Sequence, residues 1–193
     1  MGKRFGLVMR YEYSGTILDV DKNSVYMTLD IGFGFSFELT IVAKNKIPDY
    51  KNVVLEIEKV KSKEGPIYVG TFLDKAEREY KYRCKFAKIY DGDTATSAII
   101  DLGFGKKYKT RLRFAGINAP EMRGTRGEEK QLALASKARV EELILGRDRT
   151  IMTIRDKKGK YGRYLAVVYY RNKNVNQLLI DEGLARKYGK MPV

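Results

Sequence analysis

A five-residue pattern occurs twice in this chain and constrains its fold more than any other feature. Asp30-Ile31-Gly32-Phe33-Gly34 is matched by Asp101-Leu102-Gly103-Phe104-Gly105. Glycines so closely spaced mark a tight turn. The residues around each copy alternate in polarity or run β-branched and aromatic, as half-buried strands do. A repeat of this kind points to two similar units. In the same register Asp19-Val20-Asp21 lies over Asp91-Gly92-Asp93, one residue out of step with the turn. Pro48-Asp49 lies over Pro120-Glu121 and Gly65-Pro66 over Gly162-Arg163, so that Ile41 stands for Arg113 and Pro66 for Arg163.

Leu7–Tyr13, Gly15–Val20, Ser24–Ile31, Phe35–Ala43, Val53–Val60 and Ile67–Phe72 read as short strands without a helix among them. Such a run suggests a small β-barrel of the OB type. Asp74–Tyr80 is a brief polar connector. Strands follow over Tyr82–Tyr90, Ala95–Leu102 and Tyr108–Phe114, and then a basic loop, Arg123–Gly127, that its composition marks as mobile. Glu128–Leu145 carries Leu132, Ala135, Val140, Leu143 and Ile144 at helical spacing, with Gly146 as its stop. Thr150–Arg155 and Tyr164–Tyr170 read as strands, and Val175–Asp181 as a short helix with Gly183 near its end. The expected fold is mainly β with α (α+β), as tandem OB-like five-stranded β-barrels. Residues 1–78 form a degenerate barrel, and residues 79–193 a second one with inserted and C-terminal helices.

The net charge of +14 is confined to one half. Residues 1–80 hold 12 Lys/Arg against 12 Asp/Glu, whereas residues 81–193 hold 26 against 12. An excess gathered in one half argues for a polyanion bound there. A membrane surface is the other common polyanion, but no basic amphipathic helix with aromatic anchors is evident. No run approaches the ~20 apolar residues of a membrane span. Nucleic acid, DNA or RNA, is therefore the expected partner. The start shows no signal-peptide pattern and Cys84 is the single cysteine, which together suggest a cytoplasmic protein. Without histidine, and with one cysteine, a tetrahedral zinc site or a histidine base is excluded. A metal here must be a hard one held by oxygen.

The chemistry centres on Arg111–Glu121, RLRFAGINAPE. A strand through Arg113 ends in a turn where Pro120 restricts Ala119 to extended geometry. Asn118 and Glu121 are left at the rim. Asp91 and Asp93 flank a glycine at another strand end, so alternation points both carboxylates the same way. With Asn118 and the Ala119 carbonyl they offer a cluster of hard oxygens suited to Ca²⁺, or to Mg²⁺ with more retained water. Asp-Gly-Asp-Thr taken alone is equally an ordinary turn. Arg113 and Arg163 can each give a phosphate two hydrogen bonds and offset charge as a pentacovalent transition state forms. Glu121 is the candidate base for an attacking water.

The pieces IYDGDT at Ile89–Thr94, RFAGINAPE at Arg113–Glu121, KYGR at Lys160–Arg163 and VNQLLIDEGLA at Val175–Ala185 occur in order. Together, from about Cys84 to Tyr188, they resemble the staphylococcal nuclease (thermonuclease) family. The resemblance implies an OB-like barrel with helices and a Ca²⁺-dependent phosphodiesterase acting on DNA and RNA. It makes residues 79–193 the catalytic domain and residues 1–78 a non-catalytic companion. It implies that Asp93 and the Ala119 carbonyl ligate calcium, and that Asp91 helps through water. Glu121 becomes the general base, and Arg113 and Arg163 hold the phosphate. Lys160 and Tyr161 match contacts to the terminal phosphate, and Tyr188 lies close to where family tyrosines pack on the nucleotide. The sequence departs from the family at Asn118, where a metal aspartate is expected, and at Ala119, where a threonine is. Two function classes follow: a metal-dependent nuclease, or a tandem OB-like module that binds single strands without cutting them.

Overall fold

The structure, a computed structural model, describes residues 11–20, 26–41, 47–49, 52–75, 80–158 and 162–190. The chain divides into two compact units. The first is Met1–Glu79 with Gly103–Gly105, and the second is Tyr80–Leu102 with Lys106–Val193.

The first unit is a closed barrel of β1 (Tyr11–Val20), β2 (Tyr26–Gly32), β3 (Phe35–Ile41), β4 (Asn52–Ser62) and β5 (Gly65–Lys75). Its order is β1-β2-β3-β5-β4, with β3 and β5 parallel and β1 returning antiparallel to β4. Alternation along β2 sends Met27, Leu29 and Ile31 inward, where they join Leu39, Val53 and Leu55. The two strands expected over Leu7–Tyr13 and Gly15–Val20 are one in the described part. Gly15 pairs with Val53 within an unbroken ladder, since glycine weakens a strand without ending it.

The second unit holds β6 (Tyr80–Asp91), β7 (Thr94–Gly103), β8 (Lys106–Phe114), β9 (Ile117–Asn118), α1 (Gly127–Ile144), β10 (Asp148–Lys158), β11 (Tyr164–Tyr170), β12 (Lys173–Asn174), α2 (Val175–Asp181) and β13 (Arg186–Lys187). Its main sheet runs β10-β6-β7-β8-β11-β12, and β10 also pairs with β11. The five long strands thus follow the same circuit as the first unit, including one parallel contact, β8 with β11. The described residues are mainly β with two helices, an OB-like α+β architecture. Among the described residues no helix is long and apolar enough to cross a membrane.

The repeated pattern has one backbone conformation in both places. Phe33 and Gly34 have φ of 57° and 77°, and Phe104 and Gly105 have 54° and 72°. Two positive φ values in a two-residue loop match the right-handed twist of the flanking strands. Phenylalanine in this region is costly, yet both rings are buried, at 7% and 6% exposure, which offsets the strain. The ladder also corrects the alignment of the repeats. Arg113, between buried Leu112 and Phe114, pairs with Leu165, whereas half-buried Thr40, beside buried Leu39, pairs with Val69. Thr40 rather than Ile41 therefore stands for Arg113, and Ile67 rather than Pro66 for Arg163. A one-residue slip would have put the arginine on the core face.

Helix α1 buries Ala133, Ser136, Val140, Leu143 and Ile144. Leu132 and Ala135, expected inside, are exposed, because the face that packs inward runs through positions 133, 136, 140, 143 and 144 and leaves them beside it. Helix α2 is capped by the Asn174 side chain, which accepts from the Gln177 N–H. Arg139 on α1 holds Glu182 after α2 through Nε and Nη2 at 2.7–3.2 Å. Asn176 is fully buried and binds three backbone groups, two on β11 and one in the turn after β8: it donates to the Ala166 and Ala115 carbonyls at 3.0 and 2.9 Å and accepts from the Val168 N–H at 3.1 Å.

Asn176→Leu should lower the unfolding free energy by about 3–4 kcal/mol, because the Ala115 carbonyl and the Val168 N–H lose their partner inside the protein. Denaturant titration measures this, and a loss below about 1 kcal/mol would show that Asn176 does not anchor α2.

Candidate functional site

The site begins with an irregularity in β6. Tyr82, Cys84 and Phe86 point inward and Lys81, Arg83 and Lys85 outward. The pairing with β7 then shifts at Phe86/Lys88, Lys88/Ile89 and Ile89/Asp91, and the inward set becomes Ile89 and Asp91. Without these bulges Asp91 would face solvent, and its 2% exposure follows from them. Buried Cys84 sits back from the site, its thiol pushed up to about 12 by desolvation, which leaves it unreactive.

Asp93, 1% exposed, is the hub. Its Oδ2 accepts from the Ala119 N–H at 2.7 Å and pairs with Arg113 Nη1. Its Oδ1 accepts from Thr94 Oγ1 at 2.9 Å. Arg113 reaches further, with Nη2 donating to Asn118 Oδ1 at 2.8 Å and Nη1 3.3 Å from the Asp93 carbonyl. Burial, followed by the charge of Arg163, lowers the Arg113 pKa, though a guanidinium remains charged at neutral pH. Arg163, just before β11, donates from Nη1 to Thr94 Oγ1 at 3.0 Å. One threonine hydroxyl therefore joins Arg163 to Asp93.

Glu121 lies at hydrogen-bond reach of Asp91, and both carboxyls are shifted up. Desolvation is the first cause in each. For Glu121 the Asp91 charge adds to it, and Arg113 and Arg163 pull both back down. Like charges this close retain a proton more readily than either would alone. The backbone after Glu121 is fixed by Thr125 Oγ1, which donates to the Glu121 carbonyl at 2.7 Å, and by Lys130 Nζ on the Met122 carbonyl.

Arg113, Glu121, Arg163, Asp91, Asp93, Asn118 and Ala119 thus lie together. Tyr188 stands beside them, 68% exposed, its N–H donating to the Gly116 carbonyl at 2.8 Å and its phenol near enough to act on Arg113. That placement depends on β13 pairing with β9, a contact the sequence does not announce. Lys160 and Tyr161 lie outside the described residues. Thr94 and Ser136 escaped the reading of the sequence. Thr94 was visible as the last residue of Asp-Gly-Asp-Thr. Ser136 had no signal beyond being small on a helix.

The donors available to a cation are all oxygen. Asp91 Oδ1 is buried without a hydrogen-bond partner, and Asp93 and Asn118 add further oxygens nearby. Among the described residues no three acidic, histidine or cysteine side chains converge as a ready-made metal site. The set therefore fits a hard divalent cation held by few carboxylates, with neutral oxygens and water making up the rest.

Gly92 belongs to the architecture of the site. A β-carbon there would collide with the Ser136 hydroxyl and lie 2.8 Å from the Ala119 β-carbon. Gly92→Ala should cost about 1–3 kcal/mol by overpacking, and Ser136→Gly in the same chain should recover part of it. Thermal unfolding of the single and double variants checks this; equal stability of Gly92→Ala and the parent would refute the close contact.

Comparison with known proteins gives two results. A protein of Haemophilus influenzae named an uncharacterized endonuclease is 34% identical over 122 residues, which is 63% of this chain and 61% of the relative. The chain thus spans about three-fifths of that relative's length. Residues 111–193, which carry Arg113, Asn118, Ala119, Glu121, Arg163 and Tyr188, match the model described as staphylococcal nuclease homologue.

Proposed function

We propose that the second unit is a metal-assisted nuclease that hydrolyses phosphodiester bonds of DNA or RNA. The observation that carries this reading is the convergence of two guanidiniums, Arg113 and Arg163, on the Asp91–Glu121 carboxyl pair. Cations beside a paired acid and base suit attack of water on a phosphate. The family match of residues 111–193 and the printed name of the relative support the same reading.

In the proposed reaction Glu121 takes a proton from the attacking water as the new P–O bond forms. Arg113 exchanges its hold on Asp93 and Asn118 for non-bridging phosphate oxygens. Arg163 binds the phosphate from the Thr94 side. The bond to the leaving oxygen breaks, and that oxygen takes a proton from solvent water. Asp91, Asp93, Asn118 and the Ala119 carbonyl would hold Ca²⁺, or Mg²⁺ in its place, and the ion would supply Lewis-acid charge to the phosphate. Tyr188 is positioned to pack on a base. Lys160 and Tyr161 are proposed for the terminal phosphate through the family resemblance alone. Single-stranded or locally opened substrate suits a barrel that presents isolated side chains to unstacked bases.

Cleavage of an end-labelled single-stranded oligonucleotide, with Ca²⁺, with Mg²⁺ and with chelator, tests the proposal. Cutting should require the metal. It should fall by about 10²–10⁴-fold in Glu121→Gln, the usual contribution of a general base, and by about 10²–10³-fold in Arg113→Ala. Salt-sensitive binding without cutting in any metal would instead make the unit a nucleic-acid-binding module.

A further inference from the structure

A second cationic centre lies at the other end of β11. Arg147, Arg149, Tyr170 and Arg171 line an open cleft of about 360 Å³, with Asp148 as its acidic member. Arg149 is pinned: Nε and Nη2 donate to the Leu143 carbonyl at 2.9 and 2.6 Å, and Nη1 to the Asp148 carbonyl at 2.8 Å. Its bland role is to close the C-terminus of α1, where a cation is favoured. Arg147 and Arg171 have no such duty. Both are exposed, and among the described residues neither shows a side-chain hydrogen bond or carboxylate pair. Arg171 is placed by a two-residue turn with Asn172, both at positive φ, of 47° and 63°. The guanidiniums of Arg149 and Arg171 lie 4.6 and 5.2 Å from the centre of the Tyr170 ring.

Three cations facing one carboxylate leave the cleft positive, and their mutual repulsion is relieved by an anion. The Tyr170 ring is already engaged by two guanidiniums, so the cleft selects by charge, and a polyanionic backbone that meets several cations at once suits it more than a lone inorganic ion. Arg163 precedes the first residue of β11 and Arg171 follows the last. Eight residues at about 3.3 Å each put the two centres on the order of 26 Å apart. A nucleic acid can occupy both only if it is long enough.

We propose that the Arg147–Arg149–Arg171 cleft is a second phosphate-binding site, which holds the nucleic-acid backbone at a distance from the Arg113–Arg163 centre. The inference rests on reading the second unit as directed at nucleic acid, but it does not require that the unit cuts.

The test compares the parent, Arg147→Gln/Arg171→Gln, and a control pair, Lys81→Gln/Lys88→Gln, which removes the same charge from two other exposed positions. Arg149 is left intact so that the end of α1 is preserved, and unchanged melting temperatures confirm the fold. Binding is measured in chelator, against salt, with a single-stranded DNA long enough to reach both centres and with a dinucleotide. Losing two phosphate contacts should flatten the slope of log K against log salt by about 1.4 for the long strand. The dinucleotide slope should not change, and the control should change neither. Charge reversal, Arg147→Glu/Arg171→Glu, should weaken long-strand binding further. Equal effects of the arginine and lysine pairs, or an equal loss for the dinucleotide, would overturn the site. If the protein cuts but the slope is unaltered, the cleft fails and the nuclease stands; if the slope falls without cutting, the reverse holds.

Discussion

The ion pair of Asp93 with Arg113 is the interaction on which the second unit depends. A carboxylate 1% exposed is tolerable only with its oxygens occupied, and three donors from separate parts of the chain occupy them. Thr94 comes from the start of β7, Arg113 from β8, and the Ala119 N–H from the turn after β9. The same contacts that satisfy the charge therefore set where Asn118, Glu121 and Arg163 can be. Breaking a buried pair by removing one partner costs about 3–5 kcal/mol in other proteins. Site geometry and local stability are in this way one property.

That hub also explains how two units with one strand circuit can differ so much in charge and chemistry. The barrel needs its alternating core and its positive-φ turns, and both units have them. It does not need an arginine where Thr40 and Ile67 stand in the first unit. The features proposed to serve phosphate chemistry are additions to a scaffold that is complete without them. The added helix brings Ser136 against Gly92, so even the insertion bears on the Asp91–Asp93 turn.

What could be read from the sequence was what repeats locally. Tyr164–Tyr170 and Val175–Asp181 coincide with β11 and α2, because continuous apolar runs and a capping asparagine fix both within a few residues. The two-residue β9 and β13 were not legible, since each exists only through a partner distant in sequence, and β12 is no more than the short return of the Arg171–Asn172 turn onto β11. The face of α1 differs at Leu132 and Ala135 because the inward stripe includes Ala133 and Ser136, which hydrophobic spacing does not single out. Asn176 carries no signal in the sequence beyond being polar in a short helix, although it joins backbone groups of β11 and of the turn after β8. For the site, residue types and spacing pointed to an oxygen-rich cluster beside two arginines. They did not reveal that Arg113 is held by the aspartate proposed to bind metal, nor that Thr94 links Arg163 to it. The cleft at Arg147 and Arg171 was invisible for the same reason: charges gather there through the pairing of β10 with β11.

The oxygens now engaged by Arg113 are those proposed to hold a cation. Calorimetric titration of Ca²⁺ into the parent, Asp93→Asn and Asn118→Asp addresses this directly. The account predicts weak binding by the parent, loss in Asp93→Asn, and distinctly tighter binding in Asn118→Asp, since affinity in oxygen sites rises with ligand charge. Calcium binding that neither substitution alters would contradict it.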